Sequence, residues 1–145
     1  MTDVLNNPAL RLFGVTYLIL VLKMLAVGFT TSFYRIRDKT YATPEDYALQ
    51  GLPPRPGVNE DVERARRAHQ NDLENILPYF GVGVLYALTN PSPTAARVFF
   101  IGYTVARILH SVFYLRAMQP WRTIAFTVAE VLLVVMLFVT LAKLW

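Results

Sequence analysis

The sequence predicts an all-α integral membrane protein, a four-helix bundle built from one domain over residues 1–145. Three observations lead there. Of the 145 residues, 54% are hydrophobic and only 17% charged, whereas a soluble chain normally carries about 25% charged residues. Charge is also bunched: 15 of the 24 charged side chains fall between Arg35 and Glu74, leaving nine for the other 105 residues. Finally, four apolar stretches approach the roughly 20 residues needed to cross a hydrocarbon core. With a mean hydropathy of +0.37, this pattern excludes a water-soluble globule, a disordered chain and a coiled coil. It also argues against nucleic acid as a partner, because the +4 net charge is dispersed and forms no basic stripe. There are no cysteines and only two histidines. Neither a thiolate nucleophile nor a thiolate metal site is available, and no metal is expected.

The first helix is expected over residues 10–36. Ala26-Val27-Gly28 resembles a signal cleavage site, but Lys23 interrupts the apolar run and hydrophobicity continues past it, so the segment reads as a retained span. A long charged connection follows, with Thr43-Pro44-Glu45-Asp46 and a rigid Pro53–Gly57 stretch. The second helix, residues 58–89, is apolar only from Leu73 onward, and its first half, beginning near Val58, stands in water. Thr89–Thr94 holds two prolines and reads as a tight polar turn. The third helix is expected over residues 95–117 and the fourth over 121–144. Lys and Arg number seven from Arg35 to Leu73, none in Thr89–Thr94, and two, Arg116 and Arg122, flanking the third connection. The positive-inside rule therefore puts the first and third connections in the cytoplasm and both termini outside.

A charge at the centre of a span costs about 2.5–3.5 kcal/mol on insertion scales, so each one needs a reason. At 100° per residue, Arg64, Arg67, Asn71, Glu74 and Pro78 fall on one stripe of the second helix. Two guanidinium groups, an amide and a carboxylate suit a zwitterionic, peptide-like ligand, since Arg clamps carboxylates and Glu accepts from ammonium. An ion-pair ladder between Arg67 and Glu74 is the structural alternative. On the third helix Tyr103, Arg107, His110 and Tyr114 share a face; on the fourth, Arg122, Phe126 and Glu130 do. At 1.5 Å per residue, Lys23 lies about 16 Å, Arg107 about 12 Å and Glu130 about 9 Å from the cytoplasmic ends. These three are expected to form a buried charge network. The polar set stays in the cytoplasmic half, which suits a site open to cytosolic solutes better than a pore. His69 points away from the stripe and is expected to act as a structural hydrogen-bond partner.

Val62–Phe80 reads VERARRAHQNDLENILPYF. This closely resembles the signature of the MAPEG family, the membrane-associated proteins in eicosanoid and glutathione metabolism. The likeness extends through RIRDKTYATPEDYAL, LYALTNPSP, ARILHSVFYL and QPWRTIAF, nearly the whole chain. It implies a homotrimer of four-helix subunits with glutathione bound between neighbours. By resemblance, Arg35, Arg67, Asn71, Glu74, Arg107, His110 and Tyr114 match glutathione-binding positions. Arg122 matches the arginine that stabilises the glutathione thiolate, with Thr123 a second donor, and Asp46 matches an acidic loop residue. Where the prostaglandin-E-synthase branch has Ser and then Tyr after the thiolate arginine, this chain has Thr123 and Phe126. Gln70 and Glu130 also depart from that branch, whereas LENILPYFGVGVLYAL is closer to the detoxifying transferases.

The expected activity is glutathione transfer to apolar electrophiles, with reduction of lipid hydroperoxides. A prostaglandin-E-synthase-like isomerase is the alternative within the family. A non-catalytic or haem-binding membrane bundle is the alternative outside it, although haem lacks a second histidine at the depth of His110. Glutathione would enter from the cytosol and the apolar substrate from the lipid. The chain is expected in a bacterial inner membrane, or in the endoplasmic reticulum of a eukaryote.

Overall fold

The computed structural model describes residues 6–55, 57 and 59–145. Five helices appear among them: α1 (Pro8–Asp38), α2 (Pro44–Leu49), α3 (Glu60–Leu88), α4 (Pro93–Leu115) and α5 (Trp121–Leu144). No strand occurs among the described residues. The four long helices fall where four were expected. The fifth, α2, is a correction: its six residues are too few to show a hydrophobic period. It forms for a capping reason instead. The Thr43 hydroxyl accepts from the Asp46 backbone N–H at 3.3 Å, Pro44 sits in the first turn, and Glu45 and Asp46 face the helix's positive end.

Caps also explain where the long helices start. Asn7 accepts from the N–H groups of Ala9 (2.9 Å) and Leu10 (3.1 Å), so α1 begins at Pro8 rather than residue 10. Its Nδ2 donates to the Ala87 carbonyl and to Asn90 Oδ1, tying the start of α1 to the end of α3. The expected start near Val58 lies outside the described residues; α3 begins at Glu60, capped by Asn59, which accepts from Val62 N–H at 3.0 Å. Ser92 caps α4.

Three helices, α1, α4 and α5, are long and apolar enough to cross a membrane. The fourth long one, α3, fails on composition: its first turns carry Glu60, Asp61, Glu63, Arg64, Arg66 and Arg67, and its later part still holds Asn71, Asp72, Glu74 and Asn75. The four long helices nevertheless share a core. At the end nearest Asn7 this core is aromatic. Tyr79 and Tyr103 stack with ring centres 4.0 Å apart, and Phe13 packs on Phe100 at 5.4 Å. Gly83 lets the Phe13 ring reach the α3 backbone: a Cβ there would stand 2.9 Å from Phe13 Cδ2. Meanwhile Leu18, Leu22, Phe29, Phe33, Phe138 and Leu141 point outward. So much outward apolar surface needs lipid or other protein against it.

Candidate functional site

The charged end of the bundle is built around Asp72. Its register explains its position: Ala65, Ala68, Asp72, Ile76, Tyr79, Gly83 and Tyr86 recur at three- and four-residue spacing and are all buried. Asp72 thus occupies a core position and is fully buried. A carboxylate there must be paired. Lys23 from α1 pairs with Oδ1, and so does Arg107 from α4, with Nη2 at 2.9 Å. Ser111 Oγ lies 3.5 Å from the same oxygen. The expected network of Lys23, Arg107 and Glu130 is therefore corrected. Its anion is Asp72, whereas Glu130 Oε1 is buried without a hydrogen-bond partner among the described residues. Two cations required a nearby carboxylate at the same depth, and Asp72 on the buried register of α3 was the signal for it.

Arg107 links this network to a cleft. The same Nη2 donates to Asn71 Oδ1 at 2.9 Å and to the Asn71 carbonyl at 3.2 Å. Asn71 forms part of the wall of a cleft of about 240 Å³, together with His110, Tyr114, Arg122, Thr123 and Phe126. One turn separates His110 from Tyr114, so both project to the same side of α4. His110 is buried between Tyr114 (5.5 Å) and Phe126 (5.8 Å). The Arg122 guanidinium lies over the Tyr114 ring, 4.5 Å from its centre.

Gln119, a residue the sequence reading did not single out, steadies that arginine. With its amide oriented to satisfy its neighbours, its oxygen accepts from Arg122 Nη2 at 2.5 Å and Nε at 3.1 Å, and its nitrogen faces Thr123 Oγ1 at 3.0 Å. Its place in the turn before α5 gave no signal, because one amide in a short connection has no pattern. The resulting cleft offers a fixed guanidinium, a hydroxyl and an amide: donors suited to an anion.

The remaining expected residues lie elsewhere. Arg107 is fully buried behind Asn71 and does not line the cleft. Arg67 and Glu74 are exposed on the outer face of α3. Their ladder does not form; Glu74 accepts from Gln70 Nε2 at 3.0 Å, while Arg64 pairs with Asp61 and Arg66 with Glu63. Arg35 lines a separate cleft of about 320 Å³ that also includes Tyr41, Arg55, Glu63 and Arg66. Beside it, in α2, hydrogen bonds from backbone N–H and the Thr43 hydroxyl hold the Glu45 carboxyl below the usual carboxylate range. His69 is a further correction. Its Nδ1 finds no hydrogen-bond partner among the described residues, and the ring packs flush on α1 at Gly28, where a Cβ would be 3.4 Å from Cε1.

Among the described residues, no group of three His, Cys, Asp or Glu side chains is placed to hold a metal ion. The MAPEG family model matches residues 13–142. Human (Homo sapiens) prostaglandin E synthase is 38% identical over 128 residues, covering 88% of this chain and 84% of that protein. Microsomal glutathione S-transferase 1 from Homo sapiens is 38% identical over 133 residues, covering 88% of this chain and 86% of that protein. The Mus musculus protein of the same name is 39% identical, with the same coverage. An all-helical chain with three membrane-capable helices, matched along most of its length, is a member of a known membrane family: it belongs to the MAPEG family.

Proposed function

We propose that this protein is a membrane-bound glutathione transferase. It conjugates glutathione thiolate to apolar electrophiles and reduces lipid hydroperoxides. The observation that carries this reading is the Arg122 guanidinium, held by Gln119 and Tyr114 at the mouth of a cleft that also contains Asn71, His110 and Thr123. A free thiol of this kind has a pKa of about 8.5 and is mostly protonated at neutral pH. Lowering that pKa by about 1.5 requires about 2 kcal/mol of preferential stabilisation of the anion. One guanidinium at a poorly solvated cleft, with the Thr123 hydroxyl as second donor, supplies an effect of that size.

Thiolate attack on an electrophilic carbon forms the thioether and expels the leaving group. Attack on a peroxide oxygen releases the alcohol and leaves a sulfenic acid, which a second glutathione converts to disulfide and water. Both apolar substrates dissolve in lipid and reach the cleft laterally, while the tripeptide comes from the cytosol.

The working unit in this reading is a homotrimer in a bacterial inner membrane, or in the endoplasmic reticulum of a eukaryote, with its sites facing the cytoplasm. Two observations support an assembly. Arg67 and Glu74 face outward, and Arg35 sits in another cleft, so one subunit does not gather the whole glutathione set. A neighbouring subunit against the outer face of α3 would complete it. The apolar outer surface would likewise be shared between neighbours and lipid.

Equal identity to a prostaglandin E synthase keeps an isomerase as the second reading. Phe126 weighs against it, since it brings a hydrocarbon edge to the cleft where that branch has a phenol. Purified protein titrated with glutathione should develop thiolate absorbance, then turn over a chlorinated nitroaromatic or a lipid hydroperoxide. Arg122→Leu should still bind glutathione but raise the bound thiol's pKa by about 1.5. Unchanged thiolate absorbance in that variant would remove Arg122 from the chemistry.

A further inference from the structure

The Lys23–Asp72–Arg107 cluster touches the cleft at one residue, Asn71, and the way it does so restricts what Asn71 offers a ligand. Arg107 holds the side-chain oxygen of Asn71 at 2.9 Å and its backbone carbonyl at 3.2 Å. With its oxygen held on the Arg107 side, the amide keeps its two N–H donors as the group free to meet a ligand. Arg107 itself is held: it is fully buried, and its Nη2 also donates to Asp72 Oδ1, which Lys23 and Ser111 share. Asp72 reaches no wall of the cleft.

We propose that Asp72 is a positioning residue: together with Lys23 it anchors Arg107, which fixes the Asn71 amide with its NH2 presented to the cleft as a donor for a carboxylate or peptide carbonyl of the bound tripeptide. This rests on the proposed glutathione site. Three helices contribute to one hydrogen-bond donor, which explains an ionic cluster in a part of the core that apolar side chains would fill at least as stably. Asn71 thus selects an acceptor atom on the ligand and rejects a donor.

A double-mutant cycle on glutathione affinity tests this, using detergent-purified full-length protein whose folded fraction is matched by melting curve. Asn71→Ala should weaken glutathione binding about tenfold, the effect of one hydrogen bond to a charged acceptor. Asp72→Asn should weaken it by a similar factor, and the double variant should be no weaker than either single one. Thiolate yield at saturating glutathione should persist in Asp72→Asn, because Arg122 is untouched. Arg107→Lys supplies a second route where Asp72→Asn fails to fold. Lysine keeps a cation beside Asp72, but its shorter side chain does not carry a donor out to the place of Nη2, which alone meets both Asp72 and Asn71, and it should give the same loss and the same non-additivity. Independent, additive losses, or unchanged affinity in the Asp72 and Arg107 variants, would overturn the inference while leaving the glutathione site intact. If the unaltered protein binds no glutathione, the proposed function falls and this inference with it.

Discussion

The two ends of the bundle are held together by different physics. Near Asn7 the core is aromatic: Phe13, Tyr79, Tyr86, Phe100 and Tyr103 interlock, and each ring touches others. Near the charged connection the core is ionic, and much of its order passes through one carboxylate, Asp72. Dispersion is spread over many weak contacts, so no single atom is indispensable. A buried charge cluster is the reverse. Its members tolerate one another only as a set, and removal of one leaves the others desolvated without compensation. The aromatic end therefore supports the fold, while the ionic end supports the fold and orients the cleft.

The strongest way to break this contrast is Asp72→Ala. It strands Lys23 and Arg107 in the core, and an expected loss of about 3–5 kcal/mol should appear as a large fall in apparent Tm in detergent. The sharper arm replaces all three members, Lys23→Met with Asp72→Leu and Arg107→Met. An apolar substitute of similar volume should recover most of the stability, yet glutathione affinity should stay low because Asn71 has lost its anchor. Recovery of both would show that the cluster serves stability alone.

At the aromatic end the comparable weak point is Gly83. The Phe13 ring lies where a Cβ would go, and Tyr79 and Phe100 flank that ring, so it has little room to retreat. Gly83→Ala should cost about 1–3 kcal/mol by overpacking. Phe13→Leu in the same chain should return much of it, because the two positions are in contact and their effects couple. Glutathione affinity should not move in either variant, in contrast with Asp72→Ala. A binding defect in Gly83→Ala would mean that the two ends are mechanically linked.

These differences decide how much was legible in the sequence. Three of the four long helices were readable as apolar stretches near spanning length, and the other through its apolar half from Leu73 onward; their capping residues Asn7, Asn59 and Ser92 emerged only in the structure. The short helix Pro44–Leu49 was not readable, because its cause is a single capped turn. On the site, His110 and Tyr114 were visible as neighbours one turn apart and Arg122 as a charge at the start of a span, whereas Thr123 entered only through the family resemblance. Asp72 escaped for a geometric reason: it lies 100° around α3 from Asn71, off the polar stripe and on the face of Ile76 and Tyr79. Seeing it required asking what neutralises Lys23 and Arg107, which is a question between helices. The outward placement of Arg67 and Glu74 is likewise invisible to a helical wheel, since a wheel gives a direction without saying what stands there.

The smallest expected effect concerns Gln119, where the two kinds of order meet. Arg122 is partly exposed at the end of the bundle, so neither burial nor an acidic partner fixes it; the Tyr114 ring bounds one side and the Gln119 oxygen the other. Gln119→Ala removes a hydrogen-bond acceptor while leaving the charge. The guanidinium then samples more orientations, and its interaction with a bound thiolate weakens by about 1 kcal/mol, roughly fivefold in the ionisation equilibrium. A titration of thiolate absorbance against pH should show the midpoint moving upward by less than in Arg122→Leu, with glutathione affinity and melting temperature nearly unchanged. A shift as large as that of Arg122→Leu would mean that orientation, rather than charge, gives the arginine its effect.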